Sequence, residues 1–505
     1  MNDNTQPPPS EKAYDSSRNM ASGIAWAVLM RWAMRFLGLF STLILARLLT
    51  PDDFGVAAMG MLVLNFLFEL SQFGAGMHLI RRKDIDASHI DTAWSMGVLQ
   101  GLFTSLVLAA IAVPISKYFH EPRVVDIMYL LALGTLIGGF ESMGPTLLRR
   151  EMKFAADFRF NVWKKVLVFI TTVSAALILK NYWALVLGHV VGTLSGVVLS
   201  YIVYRYRPRL CVQHAREYLM FGASVIPIRI ANTLRGMIAQ FLVGGTGNTS
   251  SLGNFRVATE LSTVFTSEIV TPMGRGLLPN YARLADQPAE LSRVYHKVLG
   301  LVALFCIPAG VGASAVADDL VLVLLGPQWT FTAELMKYLA IAGVVYALSQ
   351  AMINQILIAT GREKAAAVLA WVRLAMTVPI LWAGLQIGGV VGLAIATIVA
   401  PVATLPLIFN ETRRAVAITA VSVVQLMWRP TVAALAMYAV VKAVHMVGLE
   451  YAIVRLFLDA SVGAVVFVGV TMALWVMSGR PDSAETTAVN ASVAAVRKLR
   501  ARFGR

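Results

Sequence analysis

Apolar segments long enough to cross a lipid bilayer recur along the whole chain, from the stretch beginning at Ala25 to the one ending at Met477. A helix crosses a hydrocarbon core of about 30 Å with roughly 20 residues, so each segment is long enough for one membrane span. Composition agrees with this interpretation, because 57% of the 505 residues are hydrophobic and only 14% are charged. The sequence therefore predicts an all-α integral membrane protein rather than a soluble globular domain.

The apolar segments number fourteen when they are separated at charged or turn-rich breaks. Each is expected to be a helix, because a span surrounded by lipid must satisfy its backbone hydrogen bonds within itself. The predicted spans are centred at Leu37, Leu64, Leu106, Leu133, Ile170, Thr193, Ile230, Leu261, Leu304, Tyr346, Met376, Ala400, Met437 and Phe467.

The loops that join these segments are alternately rich and poor in lysine and arginine. One set of loops is rich in them, as in "LIRRKDID" and "YRYRPRLCVQHAR", whereas "GGTGNTSS", "ADDLVLVLLGPQW", "LQIGGV" and "HMVGLE" in the intervening set nearly lack them. Because positive charge concentrates on the cytoplasmic side of a membrane, both termini are predicted to be cytoplasmic. The net charge of +15 is then explained by topology and by contact with anionic lipids, and nucleic acid is not an expected partner.

A weak internal repeat suggests how the chain is divided. Sliding the sequence by 198 residues aligns Arg31 with Arg229, Gly38 with Gly236 and Gly55 with Gly253. A six-span repeat leaves both copies in the same orientation, although matches of this kind also arise by chance in so apolar a chain. The predicted regions are a disordered cytoplasmic tail at 1–19, an N-lobe of helices 1–6 at 20–204, a cytoplasmic linker at 205–216, a C-lobe of helices 7–12 at 217–411, helices 13 and 14 at 428–477 and a basic cytoplasmic tail at 478–505.

Several motifs have counterparts in a known family: "ARLLTPDDFG", "LIRRKDID", "LLRREMKFAADFRFNVWKK", "LLGPQWTFTAELMKYLAI" and "NQILIATGREK". With them the chain resembles the polysaccharide transporter family, the Wzx-type oligosaccharide-lipid flippases of the MOP superfamily. The resemblance implies a MATE-like fold of two six-helix lobes around a central cavity, which opens alternately to each side. It also implies that undecaprenyl-diphosphate-linked oligosaccharide moves from the cytoplasmic to the periplasmic leaflet of the bacterial inner membrane. Membrane lipids, a polymerase and other polysaccharide-assembly proteins are the partners to expect.

Two arginines in the first span are candidates for binding the diphosphate. Arg31 and Arg35 are four residues apart and therefore share one face of a helix. An arginine at mid-membrane costs on the order of 2.5–3.5 kcal/mol, so it normally faces a cavity or a partner. A guanidinium also matches phosphate oxygens with forked donors. In the alternative interpretation, both side chains reach the inner interface beside Trp26 and Trp32.

Further candidates lie on the spans that the resemblance places around the cavity. Arg229 is preferred over Arg235 because the repeat aligns it with Arg31. The diphosphate candidates are therefore Arg31, Arg35, Arg229 and Arg256; the sugar candidates are Asn65, Asn232, Gln350 and Asn354; and the coupling or gating candidates are Glu69, Glu141 and Glu260. Each group has an ordinary alternative: an ion pair between Arg256 and Glu260 within their helix, interhelical hydrogen bonds for the amides, and solvated or ion-paired carboxylates for Glu69 and Glu141.

Two other function classes remain open from the residues. A multidrug exporter of the same superfamily would share the fold, but organic cations favour carboxylates over arginines. A membrane polymerase or ligase would be expected to carry a sizeable outward loop and an acid-base pair, and neither is evident. No catalytic residue, cofactor or metal site is predicted, and the glycines of "GTLIGG" and "GVVG" are predicted to allow close helix packing.

Overall fold

The computed structural model describes residues 11–72, 74–82, 84–349, 353–416, 418–446, 450–481, 483–490 and 493. Every regular element with assigned bounds in these ranges is a helix. The first ten are α1 Glu11–Leu48, α2 Pro51–Ser71, α3 Ala75–Arg81, α4 Ala87–Ala110, α5 Ala112–Phe119, α6 Arg123–Gly138, α7 Gly144–Arg150, α8 Phe154–Leu179, α9 Trp183–Val203 and α10 Ala215–Gly244.

The remaining elements include one short 3-10 helix, Pro327–Trp329, between α13 and α14. The α-helices are α11 Thr249–Arg283, α12 Pro288–Ala315, α13 Ala317–Leu324, α14 Thr330–Ser349, α15 Ile353–Ala359, α16 Glu363–Ala403, α17 Leu405–Val416, α18 Ala420–His445 and α19 Ala452–Met477. Helix α16 is broken at Gly388 and Gly389, where φ and ψ leave the helical region (Gly389 φ 59°, ψ −144°). This break lies in "LQIGGV", which the sequence predicts to be a loop between two spans.

All fourteen predicted span centres lie in helices. Within the described residues, ten helical segments are long and apolar enough to cross a membrane, and one of them, Glu363–Val416, contains two predicted centres. Helices α6, α10 and α11 are not among the ten. The protein is therefore a multi-pass helical membrane protein, and the number fourteen stays a prediction.

The chain divides into two compact units, Met1–Ile230 and Ala231–Arg505. The division falls within α10, later than the predicted linker at 205–216. Helix α1 begins at Glu11, within the tail predicted at 1–19, and the extent of that tail stays a prediction. At the other end, residues 484–490 are helical, and Glu485, in the predicted basic tail, is buried in an ion pair with Arg429 at 3.0 Å.

The motif "ARLLTPDDFG" owes its pattern to the start of α2. Thr50 and Asp53 form a capping box, in which each side chain accepts a hydrogen bond from the other residue's backbone N–H, and Pro51 occupies the first helical turn. The second carboxylate oxygen of Asp53 accepts the backbone N–H of Tyr182 at 2.9 Å, just before α9. The motif therefore ends one span, starts the next and attaches it to a third element of the first unit.

The predicted linker is bound to α4 in the first unit. The Tyr206 hydroxyl donates to Asp91 Oδ1 at 2.6 Å, and the same oxygen accepts the backbone N–H of Arg209 at 2.9 Å. The Cys211 N–H donates to Ser95 Oγ at 2.8 Å. Burial and the neighbouring Asp91 carboxylate raise the pKa of Tyr206 above its usual value. These contacts fix the path of the chain into α10.

Glycines allow close helix contacts in both units. A Cβ on Gly101 of α4 would lie 2.7 Å from the Cα of Gly139, at the end of α6, which fits the packing role predicted for "GTLIGG". In "GVVG" the prediction is wrong for Gly389, whose positive φ breaks α16 and whose surroundings within the described residues are open. Gly392 does pack closely, because its Cβ would lie 2.2 Å from the carbonyl oxygen of Gly384.

Candidate functional site

Arg229 lies at the centre of a polar contact between α10 and α2 in the first unit. Its Nε donates to Glu69 Oε2 at 2.8 Å, and its Nη2 donates to Gln72 Oε1 at 2.6 Å. The Arg229 and Glu69 side chains are 33% and 37% exposed, so solvent or a ligand reaches both. The structure thus brings Arg229, which is predicted to bind the diphosphate, into direct contact with Glu69, a predicted gating carboxylate.

The remaining predicted carboxylates differ in their surroundings. Glu141, before α7, forms an ion pair with Lys164 of α8 at 3.6 Å. Glu69 and Glu141 are therefore both ion-paired, which is the alternative that the sequence left open for them. Glu260 on α11 is exposed, and Arg256 one turn earlier is partly buried.

The arginines of α1 lie on a different face from its large apolar side chains. Arg31 and Arg35 are partly buried. Trp32 and Phe36 are each 49% exposed, and their rings stack with centroids 5.5 Å apart. Arg31 and Arg35 therefore occupy a less exposed side of α1 than the two aromatic rings, and an arginine within a membrane normally faces a cavity or a partner rather than lipid. This orientation favours a polar role for the pair, and its depth in the membrane stays a prediction.

The second unit contains a cavity of about 370 Å³ between α10, α11, α14 and α16. The Arg235 guanidinium lies 5.4 Å from the centroid of the Tyr346 ring at its wall. Hydroxyl groups from α11 and α16 are among the polar groups that line it. Six of the lining residues are Asn232, Arg235, Thr259, Ser262, Tyr346 and Thr377.

The sequence predicted part of this cavity and missed part of it. Asn232, a predicted sugar ligand, lines it, whereas Arg235 was ranked below Arg229 and Tyr346 was not singled out. The available signal was the run of hydroxyls at helical spacing on α11, of which Thr263 and Ser267 line the cavity. Asn65 is exposed on α2, and Gln350 lies outside the described residues, as does the side chain of Asn354.

A buried arginine lies on one of the helices that form the cavity. Arg373 of α16 is 1% exposed, although its side chain carries a full positive charge in ordinary surroundings. Thr377, one turn later, donates its hydroxyl to the Arg373 carbonyl oxygen at 2.7 Å and lines the cavity. Arg235 and Arg373 therefore give this part of the second unit a positive electrostatic character.

Comparison with known proteins gives a consistent picture. A family described as "polysaccharide biosynthesis protein" matches residues 44–334. The lipopolysaccharide biosynthesis protein WzxC of Escherichia coli is 20% identical over 382 residues, which cover 74% of this chain and 77% of that protein. The succinoglycan biosynthesis transport protein ExoT of Rhizobium meliloti is 22% identical over 331 residues, or 65% and 67% of the two chains.

Solved structures show the same fold. The lipid II flippase MurJ in an inward closed conformation superposes with a TM-score of 0.73 at 11% identity, covering 90% of this chain and 99% of that chain. An inward-facing multidrug resistance MATE family transporter of the MOP superfamily gives a TM-score of 0.57 at 15% identity, covering 77% and 96%. The predicted all-α, MATE-like membrane fold is confirmed.

Proposed function

Because the chain belongs to the polysaccharide biosynthesis protein family, we propose that it is a flippase for undecaprenyl-diphosphate-linked oligosaccharide repeat units. It moves them from the cytoplasmic to the periplasmic leaflet of the bacterial inner membrane, by alternating access and with both of its termini in the cytoplasm. The units then enter exopolysaccharide, capsule or O-antigen assembly, where a polymerase and other assembly proteins are its partners. It binds and moves its substrate without chemical conversion, so it is not an enzyme.

The Arg229 contact supports this proposal most directly. A diphosphate and its sugars do not cross hydrocarbon unaided, since each unpaired polar group costs several kcal/mol to bury. A cationic group that is accessible, yet held by a replaceable acceptor, meets the requirement for transient binding. Arg229 is such a group, because Glu69 and Gln72 accept hydrogen bonds from its Nε and Nη2 in this structure and phosphate oxygens match the same guanidinium geometry.

The cavity in the second unit has the chemistry of a sugar site. Its volume of about 370 Å³ lies in the range usual for small-ligand pockets. Serine and threonine hydroxyls with Asn232 supply hydrogen-bond partners for sugar hydroxyls, and the Tyr346 ring supplies an apolar face. We assign this cavity to part of the oligosaccharide.

A multidrug exporter is the second candidate, because a MATE transporter shares the fold. The cavity argues against it: the lining residues that the structure describes include Arg235 and no carboxylate. An organic cation would be repelled there, whereas a neutral or acidic sugar would not.

Complementation of a deletion strain tests the proposal. We expect the wild-type protein to restore polymer, and Arg229→Ala at equal membrane level to leave lipid-linked repeat units accumulating in the cytoplasmic leaflet. Arg283→Ala, at an exposed arginine near the end of α11, is the matched control and should restore polymer. If the deletion strain makes polymer and accumulates no lipid-linked units, the flippase proposal is wrong. If the deletion phenotype is as expected but Arg229→Ala restores polymer as the wild type does, the role assigned to Arg229 is wrong.

A further inference from the structure

Three helices of the second unit bring two buried carboxylates and one imidazole together. Asp319 lies on α13, His445 ends α18 and Asp459 lies on α19. Asp319 is 1% exposed and Asp459 is 0% exposed. His445 and Asp319 belong to "HMVGLE" and "ADDLVLVLLGPQW", two loops that the sequence predicts to face outward. The three ligand-type atoms lie within 4.8 Å of one another.

When His445 is neutral, the two carboxylates of the cluster, Asp319 and Asp459, carry one more charge than Arg455 balances. Arg455 donates Nε to Asp319 Oδ2 at 2.8 Å and Nη2 to Asp319 Oδ1, so it compensates that carboxylate. Asp459 remains, and its Oδ1 is buried without a hydrogen-bond donor among the described residues. A buried carboxylate with an unpaired oxygen is costly, so a cation bound at this site would stabilise it.

The distances between the three side chains leave room for a metal ion. His445 Nδ1 lies 3.2 Å from Asp459 Oδ2 and 3.4 Å from Asp319 Oδ2. The shorter contact is also a hydrogen bond between His445 and Asp459, so the zinc-binding experiment decides between an imidazolium and a metal ion. Ligands of a tetrahedral ion with bonds of about 2.0–2.1 Å are separated by roughly 3.3–3.4 Å. The observed separations are compatible with ligands around such an ion.

We propose that Asp319, His445 and Asp459 form a site for a divalent metal ion of the Zn²⁺ type. One imidazole and two carboxylates are a donor set that zinc accepts, and a water molecule would complete four ligands. Arg455, by its hydrogen bonds to Asp319, holds that carboxylate in position beside the ion. The ion links α13 to α18 and α19, which correspond to predicted helices 13 and 14. The proposal does not depend on the flippase function.

Zinc binding to the purified full-length protein, stripped with a chelator, tests the site. We expect one Zn²⁺ per chain, and a loss of affinity of about tenfold or more in Asp459→Asn and His445→Gln. Asp318→Asn is the matched control, because Asp318 is the neighbouring carboxylate but forms its ion pair with Lys337 at 2.8 Å. It should bind zinc as the wild type does.

A second variant distinguishes the loss of a metal ligand from misfolding. His445→Cys keeps a metal ligand in place, so in a Cys211→Ser/Cys306→Ser background, which removes the two native thiols, it should bind Cd²⁺ with a thiolate-to-metal absorption band that the same background without His445→Cys lacks. The proposal is overturned if the wild type binds no stoichiometric Zn²⁺, as a protonated imidazole alone would predict. It is also overturned if Asp318→Asn loses zinc as Asp459→Asn does, or if folded His445→Cys binds Cd²⁺ without the band.

Discussion

Replacing Glu69 by glutamine should strengthen the binding of a diphosphate anion to this protein. In the structure Glu69 Oε2 accepts the Arg229 Nε–H at 2.8 Å, and Gln72 Oε1 accepts from Nη2 of the same guanidinium at 2.6 Å. Glu69→Gln keeps an oxygen acceptor of the same length but removes the negative charge. An incoming diphosphate then competes with a neutral partner and meets one less negative charge beside Arg229.

The expected change in affinity follows from the exposure of the Arg229 and Glu69 side chains. A fully buried pair would be strongly coupled, but these side chains are 33% and 37% exposed, so solvent screens their attraction. Exposed ion pairs contribute about 0.2–1 kcal/mol, and a pair at this distance belongs to the upper half of that range. About 0.5–1 kcal/mol corresponds to a two- to fivefold change in affinity.

Titration calorimetry of the detergent-solubilised protein with inorganic pyrophosphate measures this change. Glu69→Gln should bind about two- to fivefold more tightly than the wild type, and Glu69→Gln/Arg229→Gln should bind no better than Arg229→Gln. Glu363→Gln, at an exposed carboxylate on α16, changes net charge equally and should leave affinity unchanged. Equal gains in Glu69→Gln and Glu363→Gln, or a gain that survives without Arg229, would refute the competition mechanism.

Three further predictions concern stability. Gly188→Ala should lower the free energy of unfolding by about 1–3 kcal/mol in chemical denaturation, because its Cβ would lie 1.8 Å from Thr172 Oγ1; an unchanged midpoint would contradict this packing. A hydrogen bond from Arg123 holds the pKa of the Glu121 carboxyl below its usual value, so Glu121→Gln should lower the melting temperature at pH 7 but not at a low pH where this carboxyl is protonated in both the folded and the unfolded state; equal losses at pH 7 and at low pH would contradict it. Glu485→Ala leaves the buried Arg429 charge uncompensated and should cost about 3–5 kcal/mol, measured as a lower melting temperature and earlier proteolysis of residues 478–490; an exposed, solvated Arg429 would show neither.

The helices and their approximate centres were predictable from the sequence. Span length and hydropathy are local properties, so all fourteen centres fall within helices. The boundaries were less predictable: α1 starts at Glu11, and the division of the chain lies within α10 rather than at the linker. Helix ends depend on packing and capping as well as on hydropathy, which explains these differences.

Sequence alone also identified Arg229 and Glu69 as residues whose charge needs an explanation within a membrane. It did not pair them, since 160 positions separate them and any of several deep arginines satisfied the same criterion. The cluster of Asp319, His445 and Asp459 was invisible for the same reason, because its members belong to three helices. Hydropathy determines which segments enter the membrane, whereas only the packing of those helices decides which polar side chains meet, because distance along the chain sets no distance in space.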